Sequence, residues 1–187
     1  KIMKFFHLAD LHLGRKLLGE SLIEEQRYIL EEIMKNVRVE KPDGIFICGD
    51  IYDKYIPSSE AVALFDSFLE ALVKENCEVF IISGNHDGAS RLEFASGLLK
   101  KQKVHICGTY KGKIESVERK DEYGKLTVYL LPFLRPDMLR AYEKNCPQTY
   151  HEVVKQVLKD LPHNKKERNL LLTLWTDKCF PKLQNQK

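Results

Sequence analysis

The 187-residue sequence lacks several things that would have assigned it a class at once. It has no apolar run near the roughly 18–20 residues of a membrane span, so an integral membrane helix is not expected. The opening Lys1-Ile2-Met3-Lys4-Phe5-Phe6 is too short, and soon too polar, to read as a secretory signal. No Cys-x-x-Cys pair occurs, and the five cysteines (Cys48, Cys77, Cys107, Cys146, Cys179) are odd in number. Both features argue against a disulfide framework or a zinc cluster and for a reducing, cytoplasmic setting. Strong charge of one sign is missing too: 30 Lys+Arg against 27 Asp+Glu leave a net +3, which neither declares nor opposes a nucleic-acid partner. Internal repeats and low-complexity tracts are absent. With 43% of its residues hydrophobic, the chain can bury a core of domain size.

What is present is a β-α-β rhythm over the first two thirds. Ile2–Ala9, Gly44–Cys48 and Cys77–Ile82 read as short apolar strands. Between them, Glu20–Glu40 places Leu22, Ile29, Leu30, Ile33, Met34 and Val37 on one helical stripe. Pro57-Ser58-Ser59-Glu60 starts a second helix, with Ala61, Leu64, Phe65, Phe68, Leu69 and Leu72 on its apolar face. A third helix is expected over Arg91–Leu99. Alternation of this kind implies a parallel sheet covered by helices. After Lys103 shorter strands follow at Val104–Cys107, Lys111–Glu118 and Lys125–Leu131, with a hairpin at Tyr123-Gly124. A helix over His151–Leu161, an exposed loop over Pro162–Arg168 and a strand over Asn169–Thr173 complete the pattern.

Three loops each follow one of the first strands: Ala9-Asp10-Leu11-His12-Leu13-Gly14, Gly49-Asp50-Ile51-Tyr52-Asp53 and Gly84-Asn85-His86-Asp87. In a parallel sheet such loops share one edge, where ligands bind, so Asp10, His12, Asp50, Asn85 and His86 can converge. Carboxylate, imidazole and amide oxygen suit Mn²⁺, Fe or Zn²⁺ better than a hard Ca²⁺ cage. A pair of such ions about 3.5–4 Å apart can clamp a phosphoryl group and activate water. Asp-x-His or Gly-Asp alone recurs often by chance. All three motifs in this order, each after a strand, are specific.

On these motifs the sequence resembles the calcineurin-like metallophosphoesterases, whose pattern is Asp-x-His, Gly-Asp-x-x-Asp, Gly-Asn-His-(Asp/Glu), then a later His and a Gly-His-x-His. Within them it is similar to the SbcD branch, the nuclease subunits of bacterial SbcCD complexes. Met3–Arg15, Gly49–Asp53 with Pro57-Ser58-Ser59-Glu60-Ala61, and Ile81–Asp87 carry that likeness. The resemblance implies an α/β (α+β) fold, a four-layer α-β-β-α sandwich. It further implies a dinuclear, usually manganese, site that hydrolyses DNA phosphodiesters in repair, recombination and replication, with SbcC as ATPase partner. By position, Asp10 and His12 would bind the first metal, Asp50 would bridge, Asn85 would bind the second, and His86 would act on the phosphodiester. Asp53 and Asp87 would orient neighbours, against simple loop capping. Arg15, Lys16, Lys54 and Arg91 are candidate DNA contacts, against ordinary solvated charges. Tyr52 and Tyr55 could stack on a base, or Tyr52 could pack under its loop.

Departures temper the expectation. The family strand usually ends Leu-Leu-Thr-His, whereas Leu171-Leu172-Thr173 is followed here by Leu174-Trp175, and no Gly-His-x-His occurs. His7, His105, His151 and His163 lie outside the motifs and read as structural or solvated. The expectation is therefore an incomplete nuclease domain over 1–173, truncated or frame-shifted, with an unrelated tail over 174–187. It would hold one Mn²⁺ weakly and cleave little. The resemblance places the DNA-capping region and partner-binding tail beyond Lys187, which counts against SbcC binding; it also implies that helices in the region of residues 61–72, whose stripe otherwise reads as core, mediate a homodimer. Other readings are a phosphoesterase for small phosphodiesters or phosphoproteins, and a non-catalytic remnant that binds DNA or dimerises.

Overall fold

A computed structural model describes residues 1–161, 164 and 166–174. The elements in chain order are β1 (Phe5–Leu8), β2 (Lys16–Leu17), β3 (Glu20–Ser21), α1 (Ile23–Glu40), β4 (Gly44–Cys48), α2 (Ser59–Lys74), β5 (Glu78–Ile82), α3 (Ala89–Leu92) and α4 (Ser96–Leu99). Then come β6 (Val104–Cys107), β7 (Glu115–Asp121), β8 (Gly124–Leu130), α5 (Pro136–Leu139), α6 (Tyr150–Lys159) and β9 (Arg168–Leu172).

Strands β1, β4, β5 and β6 form a parallel sheet in the order β1-β4-β5-β6. β4 and β5 are buried at every residue, which is why both read as apolar runs, interrupted only by Glu78 at the start of β5. Their side chains alternate between two cores. Ile45, Ile47, Val79 and Ile81 meet Leu30, Met34 and Val37 of α1 and Leu64, Phe65, Phe68 and Leu72 of α2. Phe46, Cys48, Phe80 and Ile82 face the other way, onto Leu126, Val128 and Leu130 of β8 and Leu172 of β9. β7, β8 and β9 make the second sheet, which packs α6 on its far side through Val153, Val154 and Val157. The result is the α-β-β-α layering expected from the sequence.

Helix α2 begins where the sequence places it. The Ser58 hydroxyl accepts the Ala61 N–H at 3.2 Å, capping the first turn. Other boundaries differ from expectation for local reasons. Glu20–Ser21 belongs to a hairpin with Lys16–Leu17, so α1 starts at Ile23. Ala95 adopts φ 59°, and this left-handed residue splits the helix expected over Arg91–Leu99 into α3 and α4. β7 runs to Asp121 rather than stopping at Glu118, because an edge strand tolerates charge on its solvent face. The hairpin at Tyr123-Gly124 stands as expected, with Gly124 at φ 94° closing it. His163 and the tail from Trp175 onward lie outside the described residues.

One polar group inside this core has no counterpart in the sequence reading. Glu78 is 8% exposed at the start of β5. Its carboxylate accepts from His105 Nε2 at 2.7 Å and from the Arg119 guanidinium of β7, while the His105 ring stacks on Phe80. The network joins the two sheets. Burial pushes the Glu78 carboxyl up, but the hydrogen bonds and charges of His105 and Arg119 more than reverse this, to about 2. A depressed carboxyl contributes stability above its ordinary range and loses it as pH falls toward the folded value. Glu78→Gln is expected to lower stability at pH 7 by about 2–3 kcal/mol and to narrow its gap from wild type at pH 3. Urea denaturation at both pH values checks this, and an equal gap would count against the network.

Candidate metal centre

Because β1, β4 and β5 are parallel neighbours, the three motif loops emerge side by side at their carboxyl ends. Backbone bonds knit the first two together: Asp10 N–H to Gly49 O at 3.2 Å, His12 N–H to Asp50 O at 2.9 Å, and Leu13 N–H to Ile51 O at 2.8 Å. Asp87 ties the second loop to the third. Its carboxylate accepts the N–H groups of Ile51 (3.3 Å), Tyr52 (3.0 Å) and Gly84 (2.8 Å). Burial raises the Asp87 carboxyl, and those three N–H bonds oppose the rise. Glycine is required where the loops touch. Gly49 has φ +80°, and a Cβ there would lie 3.0 Å from the Gly84 Cα.

His12, Asp50 and His86 each offer a ligand atom within 4.8 Å of the others. The imidazoles of His12 and His86 stand edge to face, 5.0 Å apart. Asp50 is 4% exposed, and its Oδ1 accepts the His86 N–H at 2.9 Å. His86 Nδ1 lies 2.9 Å from the Asp53 carbonyl. A carbonyl only accepts, so Nδ1 carries a proton, and Nε2 is the ring nitrogen left for another partner. Asp10, His12 and Asp50 all sit at positive φ (56°, 44° and 48°). Such backbones cost on the order of 1–3 kcal/mol each and persist where the surroundings over-determine them.

Of the other sequence candidates, Asp10 and Asp53 stand beside His12. Asp10 Oδ1 stands 3.9 Å from His12 Nε2, and Asp53 Oδ1 stands 3.7 Å from His12 Nδ1, both beyond hydrogen-bond length. Asn85 is exposed between Gly84 and His86. Arg15, Lys16, Lys54 and Arg91 are all exposed, and the Arg91 guanidinium lies 5.9 Å from the Tyr55 ring centre. Tyr52 packs edge-on against Phe65, and burial pushes its hydroxyl up to about 12. His7 and His151 are exposed, and His105 belongs to the Glu78 network.

Sequence reasoning missed Gln26. From the first turn of α1 its Oε1 accepts the Gly14 N–H at 2.9 Å, and its Nε2 donates to the carbonyls of His12 (2.8 Å) and Leu11 (3.3 Å). It clamps the strained first loop. A polar residue on a helix carries no such signal in its spacing.

The residues present fit a divalent cation. The donor set is imidazole and carboxylate, the buried His12 Nδ1 has no hydrogen-bond partner, and Asp50 is a buried carboxylate outside every ion pair among the described residues. A two-sheet sandwich that gathers such donors on loops at the carboxyl edge of its parallel sheet is the arrangement of a candidate metal-centre domain. The family model for calcineurin-like phosphoesterases matches residues 3–178, and the chain belongs to that family. It is 33% identical over 161 residues to the SbcD subunit of the SbcCD nuclease of Staphylococcus epidermidis, covering 85% of this chain and 42% of that protein. To the protein of the same name in Staphylococcus saprophyticus it is 32% identical over 158 residues, covering 83% of this chain and 41% of that protein. The chain thus spans about two fifths of the length of these curated relatives. No helix among the described residues is long and apolar enough to cross a membrane.

Proposed function

We propose that this domain is a metal-dependent DNA phosphodiesterase, the nuclease module of an SbcD-type protein that works with an SbcC-type ATPase in DNA repair, recombination and replication. The observation that carries the reading is the cluster of His12, Asp50 and His86 on three separate loops. Asp10, His12, Asp50 and Asn85 hold the metal; this mixed imidazole and carboxylate set suits Mn²⁺, Fe or Zn²⁺, and the family resemblance favours Mn²⁺. A cation there polarises the phosphoryl oxygens and activates water. His86, oriented by its Nδ1–H bond to the Asp53 carbonyl, turns Nε2 toward a phosphoryl oxygen. Asp87 keeps the second and third loops in register, and Asp53 lies beside both histidine rings. Arg15, Lys16, Lys54 and Arg91 take the flanking phosphates. A second copy of the chain packs against the α2 region, where Val62 is an exposed apolar residue. Buried thiols at Cys48, Cys77 and Cys107, each pushed up by burial, suit a reducing cytoplasm.

The 187 residues contain no Gly-His-x-His to complete a second ion's shell. Titration of this polypeptide with Mn²⁺ in a calorimeter is therefore expected to give one weak site per chain, removed by EDTA. Turnover of bis-p-nitrophenyl phosphate and of an end-labelled duplex should be slow and metal-dependent. No binding heat, together with no metal-dependent hydrolysis of either substrate, would reject the reading.

A further inference from the structure

Two sets of hydrogen bonds hold the backbone around His12. The second motif loop takes donors: the N–H groups of Asp10, His12 and Leu13 go to the carbonyls of Gly49, Asp50 and Ile51. Gln26 of α1 takes a different set. Its Oε1 accepts the Gly14 N–H, and its Nε2 donates to the carbonyls of Leu11 and His12. A carbonyl only accepts and an N–H only donates, so this is the one orientation of the amide that satisfies all three. The segment needs such support. Asp10, His12 and Gly14 lie at φ 56°, 44° and 83°, so every second residue is left-handed. A backbone of that kind persists only where its surroundings over-determine it.

The His12 ring makes this matter for a metal. Ligating imidazoles are ordinarily oriented by a hydrogen bond at the ring nitrogen that does not bind the ion. His12 Nδ1 is buried with no partner among the described residues, and the carboxylates of Asp10 and Asp53 stand 3.9 and 3.7 Å from the two ring nitrogens. Neither is close enough to orient the ring, so its aim is inherited from the backbone. That backbone is pinned at its N–H by Asp50 and at its carbonyl by the Gln26 amide (2.8 Å) and the Arg15 N–H (3.1 Å). Gln26 stands one helical turn before Leu30, which is 4% exposed in the core, so the clamp is mounted on a packed helix. We infer that Gln26 is a positioning residue for the metal centre, setting the aim of His12 through the loop backbone. The inference rests on His12, Asp50 and His86 being a metal site.

The test is Mn²⁺ calorimetry on wild type and Gln26→Met, which keeps the length and helix preference of glutamine but loses all three bonds. The dissociation constant is expected to rise about tenfold. In EDTA, the Gly14 amide of this variant should exchange with solvent at least about tenfold faster than in wild type. Gln26→Asn, one methylene shorter, should lose severalfold in Mn²⁺ affinity. Thr149→Ala controls for stability alone. It removes the cap of α6, where Thr149 Oγ1 accepts the Glu152 N–H at 3.3 Å, behind the second sheet. It should lower the melting temperature at least as much as Gln26→Met. Its Mn²⁺ affinity should stay within about twofold of wild type, because distant sites act independently. Unchanged Mn²⁺ affinity in the folded Gln26 variants would overturn the positioning role, as would an equal loss in Thr149→Ala. Absence of Mn²⁺ binding by wild type would overturn the metal reading and this inference together.

Discussion

Asp50→Asn is expected to abolish measurable divalent-cation binding while leaving the fold intact or slightly more stable. Asp50 is 4% exposed, sits at φ 48°, and among the described residues its carboxylate is relieved only by the His86 N–H. A buried carboxylate without a cationic partner is destabilising. Asparagine keeps the shape and the oxygen that receives the His86 N–H, but removes the charge. Without metal the variant should gain about 1 kcal/mol, the usual direction when a site residue is relaxed toward stability. With Mn²⁺ it should lose at least about 100-fold in affinity, more than is typical for losing a residue that only supports a ligand. Calorimetry and metal-dependent hydrolysis of bis-p-nitrophenyl phosphate read the loss, and urea denaturation with EDTA reads the gain. Undiminished Mn²⁺ affinity would show that Asp50 is not a ligand.

Gly84→Ala should be the most damaging single methyl in the molecule. A Cβ at Gly84 would collide with both Oδ1 and the backbone N of Asp50. Neither can yield freely. The Asp50 carbonyl is bonded to His12 N–H, and Gly84 N–H is bonded to Asp87. The second and third loops would have to part, at a cost of about 3 kcal/mol. For a chain of this size that is a fall of roughly 6–12 °C in melting temperature. Gly97→Ala is the matched control, since its Cβ would meet nothing within 4 Å; it should be neutral or raise the melting temperature slightly. Equal melting temperatures for the two variants would contradict the close approach of the loops.

Much of this domain was legible from local pattern. β4 reads as an unbroken apolar run because helices cover one face and the second sheet covers the other. The α2 stripe and its Ser58 cap are short-range features, and both match the helix found. The boundaries that moved are those where backbone conformation overrode composition. Ala95 at positive φ broke a helix, and the turn at Leu18-Gly19 diverted the start of α1 into a hairpin. Gly19 suits a left-handed backbone, but nothing in the residue types of Ala95 or Leu18 announces one.

By itself the sequence determined which residues could form a metal site, since Asp-x-His, Gly-Asp and Gly-Asn-His-Asp carry the donor chemistry in their side chains and each follows an apolar strand. Tertiary structure alone decided that His12, Asp50 and His86 stand within 4.8 Å of one another, that Gln26 and Asp87 hold their loops, and that Glu78 could be buried beside Arg119. The physical reason is reach. Side-chain chemistry and helical period are written over a few residues, whereas these contacts join positions as far apart in the chain as His12 and His86 and exist only once parallel strands bring their ends to one edge.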